Sequence, residues 1–327
     1  MSFENIKLEK GMYAVFNKSF TEILESLDPS DDYRGTEFEG LDAYQRQLKR
    51  FGIKVSGPGC DVVEKFFENS ESAILFPEFV SRAVKAGMKI NDVIPSIIST
   101  KIYTNNIDCR LLTTNIEDAS SSSVEEAISL PEVRIRTNND LLKLKKYGHH
   151  ITSSYEAIRL QNLDMVAIIL KRLGTLFTVH QLHEIVNTIG DDYTPITSAS
   201  LTYDKLLTLW TSLKPYRMNV MLTSYDTAKD ILSLSEFRDA NAGLDFHGTG
   251  KEITPLGAKL VCSNYLQNNL IVGFDSNFTF QMFQMGDLIV DYNKLIDKQL
   301  NDAAVSLVFG FSKILSKSLK VLDYSGS

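Results

Sequence analysis

The sequence has little of what marks secreted, metal-binding or membrane proteins. Its 327 residues include three cysteines, Cys60, Cys109 and Cys262. They are too far apart for the paired spacing of a zinc site, and they suggest no disulfide framework. The segment from Met1 to Lys10 lacks the continuous apolar stretch of a signal peptide. No window approaches the run of about eighteen uncharged apolar residues that a transmembrane helix needs. We therefore expect a soluble protein, made in a reducing cytoplasm, with its thiols buried.

The chain also has fewer basic than acidic residues. The chain has 34 lysines and arginines against 41 acidic residues, a formal net charge of -7. Tight wrapping of nucleic acid requires many cations that neutralise phosphates, so this balance leaves only weak or local contact with nucleic acid. Apolar residues make up 43% of the chain. That is enough for a globular core, in one elaborate domain or two to three smaller ones.

The best phosphate-binding candidate fails on its spacing. Gly248–Lys251 reads Gly-Thr-Gly-Lys. A phosphate loop has a glycine five positions before the second glycine, where this chain has Asp245, and a hydroxyl after the lysine, where it has Glu252. An acid there would repel the phosphates, so a glycine-rich turn is the favoured interpretation. A nucleotide-binding enzyme that uses this turn stays as an alternative from a different functional class.

Metal and nucleophile patterns fail as well. His180, His183 and Glu184 put the histidines three apart with the acid last, whereas a zinc-protease helix has them four apart with the acid directly after the first. No Ser-His-Asp set and no Gly-x-Ser-x-Gly elbow stands out. We therefore predict no enzyme activity, no cofactor and no metal.

Four segments carry helix start and stop signals. The first about ninety residues suggest short helices joined by turns, including Leu41–Phe51 and Phe76–Gly87. Ser153, with Glu156 three residues later, forms a capping box that predicts the longest helix, ending at Gly174. Its wide apolar arc predicts a central spine packed on at least two sides, about 30 Å long. A second box predicts a separate helix over Val179–Ile189, closed by a glycine.

The region between the early and the long helices is extended and polar. Residues from Ile90 to Gly148 contain short strand-like pieces around the polar run Asp118–Ser123. Such a segment buries little apolar surface by itself. It is either a flexible loop or a hairpin arm whose partner lies elsewhere, and its length favours a projecting functional element.

The last part of the chain predicts an α/β lobe followed by strands. Thr202 and Ser224 are candidate caps for two helices that flank the strand Met218–Leu222. Alternating apolar residues then predict long antiparallel strands, one-sided, around Phe278–Met282 and Val305–Phe311.

This order of segments resembles a known family, the major capsid proteins of tailed bacteriophages with the Hong Kong 97-like fold. The resemblance runs from about residue 60 to the end of the chain. It is carried by the order and extent of these segments: Ala73–Val84, Ser154–Asp164, Asp226–Asp245, Phe246–Lys251, Thr254–Ala258 and Asp291–Asp297. It implies an α+β fold with an N-terminal arm, an extended E-loop hairpin, a peripheral domain with a spine helix and antiparallel sheet, and an axial α/β domain.

The resemblance also implies domain boundaries. They are an N-terminal helical arm over 1–95, an extended segment with the E-loop over 96–152, a peripheral domain over 153–200, an axial domain over 201–277, and a return to the peripheral sheet over 278–327.

The function implied is assembly, as pentamers and hexamers, into an icosahedral head shell around double-stranded genomic DNA, without sequence-specific binding. The implied partners are other copies of the chain, a portal protein at one vertex, a scaffolding protein and a decoration protein. The implied location is the virion, after assembly in the bacterial host cytoplasm. Encapsulin nanocompartments share the fold and stay as an alternative, as does a tube-forming virion protein.

Residues of the extended arm are the candidate assembly interface, since an exposed arm gains hydrogen bonds and apolar contacts only when a second copy is present. The candidates are Ser120, Ser121, Ser122, Arg134, Arg136, Lys143, Lys145 and Lys146. Some shells of the family join a lysine of this arm to an asparagine of the next subunit. No asparagine or assisting acid can be matched to the three lysines, so we do not expect cross-linking here.

Overall fold

The structure is a computed structural model of the whole chain, and it divides into two compact units. The first comprises 1–91, 146–177 and 286–308, and the second 92–145, 178–285 and 309–327. The residues that the structure describes are 3, 6–14, 18–90, 92–114, 123, 130, 132–154, 159–190, 193–238, 256–295 and 300–325.

Helices of the described residues fall mostly before the strands in the first unit and between strands in the second. The α-helices are α1 Phe20–Leu27, α2 Ala43–Arg50, α3 Phe76–Ile90, α4 Leu163–Ile189, α5 Tyr203–Ser212, α6 Tyr225–Ser233 and α7 Ser235–Arg238. Short 3-10 helices lie at Lys10–Ala14, Ser30–Tyr33, Val63–Phe67, Ser72–Leu75, Ile94–Ser96 and Ser316–Ser318.

The described strands form three sheets. They are β1 Ile98–Thr104, β2 Asp108–Thr114, β3 Ile135–Lys143, β4 Lys145–Ser154, β5 Ile196–Thr197, β6 Val220–Thr223, β7 Lys259–Cys262, β8 Leu270–Phe274, β9 Phe280–Leu295, β10 Leu300–Lys313 and β11 Leu319–Asp323. A four-stranded sheet has the order β1-β9-β10-β4, a five-stranded sheet has the order β5-β11-β8-β6-β7, and β2 pairs with β3.

The N-terminal region is folded around a buried ion pair. Arg46 on α2 is fully buried, and its Nε donates to Asp28 Oδ2 at 2.6 Å. The guanidinium also lies 4.3 Å from the centre of the Tyr33 ring. Asp42 caps α2 by accepting a hydrogen bond from the amide of Gln45. The helix predicted over Leu41–Phe51 is confirmed.

Two glycines expected to stop helices instead allow two helices to touch. α3 continues past Gly87 to Ile90, and α4 continues past Gly174. A Cβ atom at Gly87 would overlap the backbone of Lys171, and one at Gly174 would overlap the carbonyl of Val84. Both glycines are therefore explained by the close approach of α3 and α4.

The spine helix is longer than predicted and begins later. The two helices expected over Ser153–Gly174 and Val179–Ile189 are one helix, α4, of 27 residues. At 1.5 Å per residue it is about 40 Å long. Ser153 lies in β4, so it does not cap the helix, and Glu156 lies outside the described residues. Gly190, with φ 59°, follows the last residue of α4, as predicted.

The five-stranded sheet of the second unit carries α5 and α6 on one face. Thr202 and Ser224 cap these helices by accepting hydrogen bonds from Lys205 and Thr227 amides, as the sequence predicted. The core between helices and sheet consists of Leu206, Leu209, Leu213, Met218, Met221, Ala228, Ile231, Phe237, Ala258, Leu260, Ile271 and Leu322. The predicted helix-strand-helix lobe is confirmed.

The four-stranded sheet contains the two longest strands, β9 and β10, and both run through both units. β1 pairs with β9 in parallel, from Ile98 with Phe280 to Thr104 with Met285. β1 and β9 come from distant parts of the chain, so no tight turn constrains them to run in opposite directions. The strands predicted from the sequence to be long and antiparallel are β9 and β10, which are neighbours in this sheet.

Two further expectations are tested by burial and helix hydropathy. Cys109 is buried, whereas Cys60 and Cys262 are half-buried, so the expectation of three buried thiols is only partly met. Among the helices of the described part of the chain, none is long and apolar enough to cross a bilayer.

Candidate assembly surfaces

In the part of the extended arm that the structure describes, β2 and β3 form a hairpin that joins neither of the larger sheets. Its antiparallel register pairs Asp108 with Lys143 and Cys109 with Leu142 near the base. The register shifts between Arg110 and Leu112, so the hairpin contains an irregularity above its base. A two-stranded hairpin of this kind is marginally stable in water without cover.

One face of the hairpin base is anchored in the second unit. Cys109 and Leu144 are buried there. A Cβ atom at Gly310 of β10 would lie 3.0 Å from Leu144 Cδ2 and 3.7 Å from Leu142 Cδ2. The absence of a side chain at Gly310 therefore makes room for these two leucines.

The opposite face exposes large aliphatic side chains, and we call it the hairpin face. Leu112 is 64% exposed, Ile135 is 71% exposed and Leu141 is 55% exposed. The pairing of Leu141 with Arg110 and of Ile135 with Thr114 places all three on one side, because side chains alternate along a strand. Exposed aliphatic groups clustered in this way mark an interaction surface. Sequence reasoning missed these three residues.

Some of the predicted interface residues are exposed in the structure, and others lie outside the described residues. Arg134 and Arg136 are exposed, and Arg134 forms an ion pair with Glu132 at 2.8 Å. Lys143 is exposed opposite Asp108. Lys146 is exposed at the start of β4. Ser120, Ser121 and Ser122 lie outside the described residues.

Lys145 has a partner that sequence reasoning did not find. Its ammonium lies 3.0 Å from the carboxylate of Glu184 on α4. Asn187 donates a second hydrogen bond, 3.1 Å long, to the same buried carboxylate. A buried carboxylate needs such donors to offset its lost hydration. The pair therefore fastens the start of β4 to α4, which is a structural role.

An open groove lies beside the hairpin base in the second unit. It has a volume of about 560 Å³ and is lined in part by Ile102, Tyr103, Leu141 and Phe283. Leu141 thus belongs both to the hairpin face and to this groove. The groove also has polar lining residues, among them Asn106, Asp108 and Arg110.

A second exposed aliphatic surface lies on the N-terminal half of α4, and we call it the helix stripe. Met165, Ile168 and Ile169 are all more than half exposed. They recur at the spacing of one helical face. The other face of α4 is buried through Leu163 and Leu170. The helix was predicted to be packed on at least two sides, and within one subunit this half is open on one side.

The candidate metal and phosphate motifs gain no support. His183 packs against Tyr265 with ring centres 4.2 Å apart and the ring planes tilted by 32°. Within the described residues, no group of three histidine, cysteine or acidic side chains could hold a metal ion. Gly248–Lys251 lies outside the described residues.

Comparison with known sequences finds no match. No protein-family model matches the chain, and no curated protein matches it.

Comparison with solved structures finds proteins that form capsid or encapsulin shells. The virus-like particle of Pyrococcus furiosus matches with TM-score 0.53 at 9% identity, over 75% of this chain and 98% of that one. The capsid of a native GTA particle matches with TM-score 0.53 at 13% identity, over 74% and 90% of the two chains. The SrpI encapsulin of Synechococcus elongatus matches with TM-score 0.52 at 14% identity, over 72% and 88%.

These likenesses define the fold, at identities too low to define more. The chain has the fold of capsid-type shell proteins. That fold is the Hong Kong 97-like fold, and the α+β class predicted from the sequence is confirmed.

Proposed function

We propose that this chain is the major capsid protein of a tailed bacteriophage. Copies of it would assemble, as pentamers and hexamers, into an icosahedral head shell that encloses double-stranded genomic DNA. The observation that carries the proposal is the hairpin face, where Leu112, Ile135 and Leu141 are exposed on a fold shared with shell proteins.

The energetics favour assembly by many weak contacts. Burial of apolar surface stabilises by about 25 cal/mol per Å². Three aliphatic side chains therefore give one contact a few kcal/mol at most, before the cost of association is subtracted. Repetition of the contact around a closed shell makes the whole particle stable, because each subunit is held by several neighbours.

The proposed organisation follows the boundaries given above. Residues 1–95 would form the N-terminal arm, 96–152 the segment with the assembly hairpin, 153–200 and 278–327 the peripheral domain, and 201–277 the axial domain. A portal protein at one vertex, a scaffolding protein and a decoration protein would complete the virion, and assembly would take place in the host cytoplasm.

Electron microscopy of the expressed full-length chain tests the proposal. We expect closed icosahedral shells in negative stain. A variant with serine at Leu112, Ile135 and Leu141 should give dispersed subunits, while the matched control Thr137→Ser on the same hairpin should still give shells. Tubes, or dispersed particles from the unaltered chain under all conditions, would contradict the proposal.

An encapsulin-type nanocompartment is the second candidate, because the SrpI encapsulin matches the fold about as well as the capsids do. What the particle encloses separates the two. Particles purified from the natural source should contain nucleic acid if the chain is a capsid protein. A protein cargo, identified by mass spectrometry of the particles, would favour the encapsulin.

A further inference from the structure

Three loops of the second unit are tied together by one buried residue, Asp275. Asp275 Oδ2 accepts a hydrogen bond of 3.0 Å from the amide of Arg217, and Oδ1 accepts one of 3.3 Å from the side-chain amide of Asn219. The amide of Asp275 donates to the carbonyl of Ser318 at 3.1 Å. Residues 211–219, 275–279 and 313–320 are thereby held side by side.

An aromatic contact supports the same arrangement. The rings of Tyr216 and Phe278 lie 5.8 Å apart, and Phe278 remains 46% exposed. The carbonyl of Phe278 accepts a hydrogen bond of 3.3 Å from the amide of Leu315. These contacts therefore fix the backbones of the three loops relative to one another. The exposed side chains project from these fixed backbones.

These loops are basic in an acidic protein. The three segments contain five cationic residues, Lys214, Arg217, Lys313, Lys317 and Lys320. Their single acid is Asp275, which is buried and accepts the hydrogen bonds described above. Their formal charge is thus +4, in a chain whose net charge is -7. Lys214, Arg217 and Lys317 are exposed, and we call these three the basic corner.

We propose that the basic corner binds the phosphate backbone of duplex DNA. This inference rests on the proposed function, which supplies the enclosed DNA. Three exposed cations lie on adjacent loops, and the one acid of these loops is buried. Lysine is depleted in protein interfaces, whereas clustered lysine and arginine are the electrostatic footprint of nucleic-acid binding. Three cations give a weak contact without sequence preference, one that does not immobilise DNA.

Fluorescence anisotropy of a labelled DNA duplex, titrated with the full-length chain, tests this binding. The logarithm of the affinity should fall with the logarithm of salt concentration with a slope of about -3, because each neutralised phosphate contributes about -0.9. The triple variant K214A/R217A/K317A should bind at least about tenfold more weakly at low salt and with a flatter slope. The control K89A/K171A/K229A removes the same charge from exposed sites elsewhere and should bind like the unaltered chain.

A charge-preserving variant separates electrostatics from damage to the loops. K214R/R217K/K317R should retain binding, since phosphate contacts need the charges. Equal weakening in the corner triple and the control triple would overturn the inference, because only total charge would then matter. Undiminished binding by the corner triple, or no binding by the unaltered chain at low salt, would also overturn it.

Microscopy of the same preparations keeps this inference distinct from the proposed function. Shells from the corner triple, together with weakened DNA binding, support both. Loss of shells with unchanged DNA binding would mean that the corner contacts a second copy, which overturns the DNA inference alone. Absence of shells from the unaltered chain, with corner-dependent DNA binding, would overturn the capsid proposal and leave the binding site.

Discussion

The hairpin and the α/β lobe of the second unit bury their apolar residues in opposite ways. In the lobe, Met221 and Ile271 are completely buried between sheet and helices. On the hairpin, Leu112 and Ile135 are mostly exposed although they have comparable side chains. The lobe therefore has a core within one chain. The hairpin leaves apolar surface exposed.

Substitution in the lobe should have the largest effect. Ile271→Ala removes a fully buried side chain and should lower the free energy of unfolding by about 2–5 kcal/mol, because it leaves a cavity. Urea denaturation of the unassembled chain measures this. The same truncation at exposed Ile135 should cost less than about 0.5 kcal/mol. Similar losses at the two sites would remove the contrast between lobe and hairpin.

Hydrogen exchange should show the hairpin changing state on assembly. In isolated subunits, amides of β2 and β3 should exchange faster than those of β6 and β8, because the hairpin has few buried contacts. In assembled shells the hairpin amides should become protected by about tenfold or more, as the hairpin face is covered. Mass spectrometry of both states is the measurement. Equal hairpin protection in the two states would contradict the proposed interface.

The Lys145–Glu184 pair should give the smallest effect. Lys145 is more than half exposed, so Lys145→Ala should lower the free energy of unfolding by about 1 kcal/mol or less. Lys143→Ala is the matched control and should change the free energy of unfolding less.

Denaturing gel electrophoresis of purified particles should show a single subunit band. A ladder of covalent oligomers would contradict the view that these lysines are structural or surface residues.

Local signals were predicted well from the sequence. The caps at Thr202 and Ser224 depend on side chains within three residues of the backbone amides that they bind, so the helices they start could be located. The alternation that ends at Phe311 likewise located β10. These features depend on residues that are close together in the chain, so a single sequence is enough to predict them.

Contacts between distant segments were not predictable in the same way. Gly87 and Gly174 look like helix ends in sequence, and only the crossing of α3 and α4 shows why both are glycine. Glu184 is 39 residues from Lys145, so no spacing rule connects them. Ile135 and Leu112 belong to a face created by strand pairing across a long connection. The predicted interface residues stay a prediction, to which the structure adds the exposed aliphatic residues of the hairpin face.

The glycine crossing has a mechanical consequence. Where α3 and α4 meet at Gly87 and Gly174, backbone touches backbone, with no layer of side chains between them. Side chains change rotamer under load, whereas hydrogen-bonded helical backbone deforms much less. A force applied to the N-terminal half of α4 would therefore be transmitted to α3 with little deformation between them. In the proposed shell, such a joint would act as a rigid brace.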